Sequence, residues 1–169
     1  FFLTCFFAKA GTLEDIKERG YLKCGISEDF NGFAYLNDLG QWNGFDIELC
    51  KTVSAAIFGV SNKVEYITTT NRSRFPLLSF KEIDLLIRNT TWSFSRDTNL
   101  EFDFVGINFY DGQAFMVSKS LDINSALELD GSRICLVSGS SHESNIEYFF
   151  EINSMKHNSI KLETFDECQ

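Results

Sequence analysis

The chain has 169 residues, 44% of them hydrophobic and 23% charged, with a net charge of −9 and a sequence pI of about 4.7. That length suits one ordinary domain or two small lobes, and the composition is globular, not disordered. The acidic balance, with no Lys/Arg cluster anywhere, argues against nucleic acid and against an anionic membrane surface as partners.

The first residues, 1–7, are apolar around Thr4 and Cys5, and Ala8-Lys9-Ala10 follows. A short apolar run closed by a small-x-small triplet matches the tail of a secretory signal peptide cleaved after Ala10, with its charged start missing. The run is too short to cross a bilayer. Two rivals stay open: a lipoprotein signal acylated at Cys5, and a buried first strand of a cytosolic protein. Without residues 1–10 the five cysteines become four, an even number compatible with an oxidising compartment.

Residues 12–19 predict a helix, with Thr12 as candidate N-cap and Gly20 as its stop. Residues 21–26 predict a strand, and residues 32–35 return to extended structure before the turn signal Asn37-Asp38-Leu39-Gly40. Residues 46–58 predict a strong helix, with Ile47, Leu49, Cys50, Val53, Ala56 and Ile57 on one stripe and Gly59 as C-cap. Cys24 on the first strand and Cys50 on the helix packed against it form a candidate disulfide. Residues 63–68 read as a strand, 72–79 as a helix with Pro76 near its first turn, and 83–88 as the next strand. Strand alternating with helix is the pattern of a parallel α/β sheet. Residues 102–104 and 113–118 read as strands, 121–128 as a helix, 133–137 as a strand in which Cys135 is buried, 143–153 as a helix and 160–164 as a last strand. Ser138-Gly139-Ser140-Ser141 joins a strand to a helix, a loop whose backbone N–H groups suit an anion or ligand.

The stretch Arg88-Asn89-Thr90-Thr91-Trp92-Ser93-Phe94-Ser95-Arg96-Asp97 carries the most chemistry. It follows the apolar run Ile83-Asp84-Leu85-Leu86-Ile87, so it delivers two guanidinium groups, an amide and four hydroxyls to the C-terminal end of a buried strand. A guanidinium forks onto a carboxylate with two parallel hydrogen bonds. The bland alternative is a solvated loop whose hydroxyls cap a following helix.

The chain resembles the periplasmic solute-binding proteins of polar and general L-amino-acid ABC transporters, family 3. The resemblance rests on Gly44-Phe45-Asp46-Ile47-Glu48-Leu49-Cys50, on Arg88-Asn89-Thr90-Thr91-Trp92-Ser93 with Ser95-Arg96-Asp97, and on Asp103-Phe104-Val105-Gly106 with Tyr110-Asp111-Gly112-Gln113. It implies an α/β, two-lobed, type II periplasmic-binding-protein-like fold that clamps its ligand. Residues 1–10 would be the signal remnant, 11–110 lobe one and 111–169 the first part of lobe two, with Tyr110 to Gln113 at the first hinge crossing. By position, Arg96 matches the arginine that pairs with the ligand α-carboxylate. Asn89 and Thr91 match polar residues lining the main-chain site. Arg88 sits where narrower-specificity relatives carry smaller residues, Phe30 where an aromatic stacks on the ligand side chain, and Ser140 and Ser141 on the carboxylate loop of lobe two.

The family's α-amino contact, second hinge crossing and return to lobe one would lie beyond Gln169. The resemblance therefore implies a C-terminally truncated chain, incomplete in its fold. The function it implies is capture of free L-amino acids in the periplasm and delivery to an ABC importer, with the membrane permease as partner and the receptor a monomer. No cofactor, metal or nucleic acid is expected, and no enzyme activity. The alternatives are a non-functional remnant, or a dehydratase-type enzyme using Glu28 and Asp29. His142 lies between Ser141 and Glu143, and side chains at successive helical positions point apart, so these three do not make a triad.

Overall fold

The computed structural model describes residues 11–28, 30–100, 102–164 and 166–168; the expected signal remnant, residues 1–10, and Asp29 lie outside the described residues. Packing divides the chain into two compact units that meet in sequence between Thr90 and Thr91.

The first unit is built on a parallel sheet. Strand β1 (Leu22–Ser27) is central, with β4 (Val64–Thr69) on one side and β5 (Leu85–Leu86) on the other. The register runs from Leu22 opposite Val64 to Ser27 opposite Thr69, and places Cys24 and Gly25 opposite Leu85 and Leu86. Between β1 and β4 lie a two-stranded hairpin, β2 (Tyr35–Leu36) and β3 (Trp42–Asn43), and the long helix α2 (Phe45–Phe58). Strand β3 had no sequence signal, since it is two residues long and defined by its partner. The turn joining β2 to β3 is tied by Asn37, whose Oδ1 accepts from the N–H groups of Leu39 and Gln41 at 3.0 and 2.9 Å.

Helix α1 (Thr12–Arg19) covers the residues the sequence suggested, but its cap differs. Gly11 is its N-cap and Thr12 lies inside the helix, while Gly20 closes it in the left-handed conformation as expected. Gly59 closes α2 in the same way, its N–H donating to Ala55 O. Gly44 opens α2 at φ 122°, and a Cβ there would strike the Phe33 carbonyl. Only glycine admits both that dihedral and that approach. Ile16, Leu22, Cys24, Ile26, Ile47 and Cys50 form the buried core between helix and sheet. Within it Cys24 and Cys50 are disulfide-bonded, their Cα atoms 6.2 Å apart. A partly buried ion pair of Arg19 with Asp84, whose Oδ2 also accepts from Lys23 N at 2.8 Å, fastens α1 and β1 to the segment entering β5. Helix α3 (Arg74–Ser79) starts two residues later than expected.

In the second unit the short helix α4 (Phe94–Asn99) is capped by Ser93, whose Oγ accepts from Arg96 N. A pair of parallel strands, β6 (Ser132–Val137) and β7 (His157–Leu162), is joined through helix α5 (His142–Ile152). Leu129, Ile134, Leu136, Ile146 and Phe150 make its core. Three sequence expectations are corrected here. Residues 102–104 and 113–118 are in no assigned strand, because a strand exists only against a hydrogen-bonded neighbour and the described residues supply none. The helix expected over 121–128 is replaced by two short 3₁₀ turns, Lys119–Leu121 and Ala126–Leu129, each opened by a serine side chain that accepts a backbone N–H. Cys135 is not a lone buried thiol but is bonded to Cys168, their Cα atoms 5.7 Å apart.

Candidate functional site

In an open parallel sheet the backbone runs out of partners at the C-terminal ends of the strands, and ligands bind there. In the first unit those ends are Ser27, Thr69 and the residues after Leu86. Arg88 joins the last two of these directly. Its Nη1 donates to Thr69 O at 2.6 Å and Thr69 Oγ1 at 3.1 Å, its Nη2 to Asn71 Oδ1 at 2.9 Å and Asn89 Oδ1 at 3.0 Å, and its Nε to Asn89 Oδ1 at 3.1 Å. Ser27 Oγ donates to the same Asn89 oxygen at 3.2 Å, and Thr69 Oγ1 donates to Ile26 O at 3.0 Å. One guanidinium therefore cross-links the end of β4 to the exit of β5, and Asn89 and Thr69 carry the network on to β1.

Asp46, in the first turn of α2, is 1% exposed, and its Oδ2 has no hydrogen-bond partner among the described residues. Burial pushes its carboxyl up to about 6, against the opposing pull of the Arg88 guanidinium. Burial likewise pushes Arg88 down to about 10, with Asp46 opposing. Phe30 is held by a bridge to Ala34 and stacks on Phe33 with ring centroids 4.9 Å apart, which leaves its ring 38% exposed.

In the second unit Arg96 Nη1 donates to Thr91 O at 2.8 Å, and burial lowers the guanidinium pKa. Thr91 Oγ1 and Ser141 Oγ lie 3.0 Å apart, within hydrogen-bonding distance. Ser140 Oγ donates to Val137 O at 2.7 Å, and Glu143 accepts from Gly139 N at 2.7 Å while pairing with Lys161 at 2.6 Å. The helix-opening loop thus has its own carboxylate on it. Trp92 stacks on Phe104. A groove of about 390 Å³ in this unit is lined by Phe115, Val117, Ile123, Leu129 and Phe149. Gln113, Asn124 and Ser125 also line it, no charged residue does, and it holds none of the site residues.

Phe30, Arg88 and Asn89 thus sit in the first unit, and Thr91, Arg96, Ser140 and Ser141 in the second. Sequence reading missed Ser27, Thr69, Asn71 and Asp46. For Ser27 and Thr69 a signal existed: both are hydroxyl residues ending apolar strands. For Asp46 the cue was a carboxylate directly before Ile47 at the start of the apolar stripe of α2. Among the described residues no group of three His, Cys, Asp or Glu is placed to hold a metal, and no helix is long and apolar enough to cross a membrane.

A parallel α/β sheet with a polar, arginine-bearing cluster at its C-terminal edge is the architecture of a small-ligand receptor. The sequence profile of the bacterial extracellular solute-binding proteins, family 3, matches residues 22–165. A glutamate/glutamine/aspartate/asparagine-binding protein of Rhodobacter capsulatus is 47% identical over 155 residues, which are 92% of this chain and 46% of that protein. A general L-amino-acid-binding periplasmic protein of Rhizobium johnstonii is 44% identical over 95% of this chain and 47% of its own length. Among solved structures, an ABC transporter periplasmic binding protein from Brucella ovis with glutathione bound superposes with a TM-score of 0.87 at 46% identity, covering 94% of this chain and 50% of that one. The chain belongs to the bacterial extracellular solute-binding proteins of family 3. Its fold is of the α/β, two-lobed, type II periplasmic-binding-protein class, and it spans about half the length of the curated relatives it matches. Both relatives are named as binding proteins.

Proposed function

We propose that this chain captures free L-amino acids, or small molecules carrying an α-amino-acid group, in the periplasm for an ABC importer, with the membrane permease as its partner. The receptor acts as a monomer and is not an enzyme. The observation that carries the reading is the convergence of donor groups on strand ends and on the loop after β5. Asn89 stands on the Arg88 network in one unit, and Arg96, tied to Thr91, stands beside the Thr91–Ser141 hydroxyl pair in the other. Arg96 is the group for the ligand α-carboxylate, Phe30 for the side chain, and Thr91, Ser140 and Ser141 supply hydroxyls. Closure follows because ligand contacts from the second lobe exist only in the closed state. The Rhodobacter relative's name points to acidic and amide amino acids, the Rhizobium relative's to L-amino acids generally, and the Brucella structure to glutathione, so these compounds are the first panel to test.

The experiment is a thermal melt of residues 11–169 with L-glutamate, L-glutamine, L-aspartate, L-asparagine, a mixture of the other amino acids, or glutathione. A ligand of the folded state at a hundred times its Kd adds roughly 2.7 kcal/mol, a shift of several degrees. The variant Arg96→Ala is expected to weaken binding by about 1.5–3 kcal/mol or more, the worth of a charge-assisted hydrogen bond. A cooperative melt that no member of the panel shifts would overturn the assignment.

A further inference from the structure

Resting on that amino-acid reading, we propose that Arg88 is not a ligand contact but a positioning residue. It pins the Asn89 carboxamide with its oxygen inward, so that Asn89 offers the ligand only N–H donors. The geometry leaves Arg88 nothing to give. A guanidinium has five N–H donors, and five hydrogen bonds from its Nε, Nη1 and Nη2 already go to Thr69, Asn71 and Asn89. A side chain so engaged would have to surrender these bonds to reach an acidic ligand.

The same geometry decides which end of Asn89 faces outward. A guanidinium donates and never accepts, so the atom of Asn89 that lies 3.1 Å from Arg88 Nε and 3.0 Å from Nη2 must be the oxygen. Ser27 Oγ, 3.2 Å from that oxygen, adds a third donor from the buried end of β1. The oxygen is thus saturated from behind, the amide nitrogen takes no part in these bonds, and Asn89 is exposed. Asn71 is oriented by the same logic, its Oδ1 accepting from Arg88 at 2.9 Å and from Arg74 Nη1 at 3.2 Å.

A pinned donor selects. Ligand groups that accept at this spot, carboxylate or carboxamide oxygens, gain a hydrogen bond without reordering the side chain. A cationic ligand group meets a donor it cannot use, with the fixed Arg88 charge behind it. The structure therefore favours acidic and amide ligands over basic ones at the Asn89 position, through the dipole of Asn89 and not through direct contact with Arg88.

Asn89→Asp separates the two roles. It keeps an oxygen facing Arg88 and Ser27 and replaces the outward NH2 with an acceptor. The variant is expected to melt no lower than wild type and to lose roughly tenfold or more in affinity for whichever of L-glutamate, L-glutamine or glutathione the wild type binds. Undiminished binding by Asn89→Asp would overturn the proposal. Arg88→Met is expected to lower affinity in the wild-type background but to have little further effect in an Asn89→Ala background, since Arg88 acts through Asn89. Equal losses in both backgrounds would show that Arg88 contacts the ligand itself. If the wild type binds none of these compounds, the amino-acid reading fails. The pin is then decided without ligand: Arg88→Met should shift and broaden the side-chain amide resonances of Asn89, and unchanged resonances would refute it.

Discussion

Asp46 shows how one buried carboxylate converts site architecture into a pH response. Its folded-state pKa is raised from 3.8 to about 6, with burial as the larger cause and Arg88 pulling the other way. The native state therefore holds the proton more tightly than the unfolded chain between those values. The stability that Asp46 contributes is complete below the unfolded value and is lost as pH rises through about 6. Asp46→Asn removes this titration. We expect the stability of wild type relative to Asp46→Asn to fall by roughly 2 kcal/mol between pH 4 and pH 7.5, measured by urea unfolding of both proteins. A difference independent of pH, or one that grows with pH, would contradict the burial argument. At this scale the sequence was partly legible. Arg88, Asn89, Thr91 and Arg96 stood out because their functional groups crowd into nine residues. That Arg88 turns back into its own sheet was not legible, because its acceptors Thr69 and Asn71 come from a strand end nearly twenty positions earlier.

At the scale of elements, the connection from the hairpin into α2 depends on Gly44. A Cβ there would overlap the Phe33 carbonyl, and its φ of 122° is closed to other residues. Gly44→Ala is expected to destabilise the first unit by more than 1 kcal/mol, the scale of strain at such dihedrals. Exposed Gly59→Ala should cost less, because its added Cβ meets nothing within 4 Å. A chemical-denaturation comparison of the two variants checks the order. The Cys24–Cys50 bridge spans 26 residues, so breaking it with the double Ser variant should cost about 3 kcal/mol. A midpoint unchanged from wild type would show that the unfolded state is not constrained by the bridge. Helix α2 was legible to within a residue because its apolar stripe and both glycines act locally. The 102–118 run was not, because apolar residues there imply burial against something, and strand identity depends on that something.

Over the whole molecule, the two units have separate cores, and each contains a disulfide. Heat unfolding is accordingly expected to depart from two-state behaviour, with a calorimetric enthalpy above the van't Hoff value. Replacing Cys135 and Cys168 by Ser should lower one transition and leave the other in place; a single transition that moves as a whole would show that the units unfold together. The parallel α/β organisation was legible from the alternation of strand and helix. The pairing of Cys135 with Cys168 was not, since Cys135 lies in an apolar strand where a buried thiol fits as well as a bonded one.

The position of the Cys24–Cys50 bridge bears on how such a chain reaches the compartment we assign it. The bond joins the middle strand of the sheet to the helix that covers it, at the centre of the first core. With both thiols reduced, that core lacks its cross-link and the chain is easier to hold extended. A polypeptide threaded through a translocation pore must be extended, and the oxidant lies on the far side. For an exported chain the bridge would then work as a ratchet: the stability it adds would arrive only after passage, when refolding is wanted and return is not.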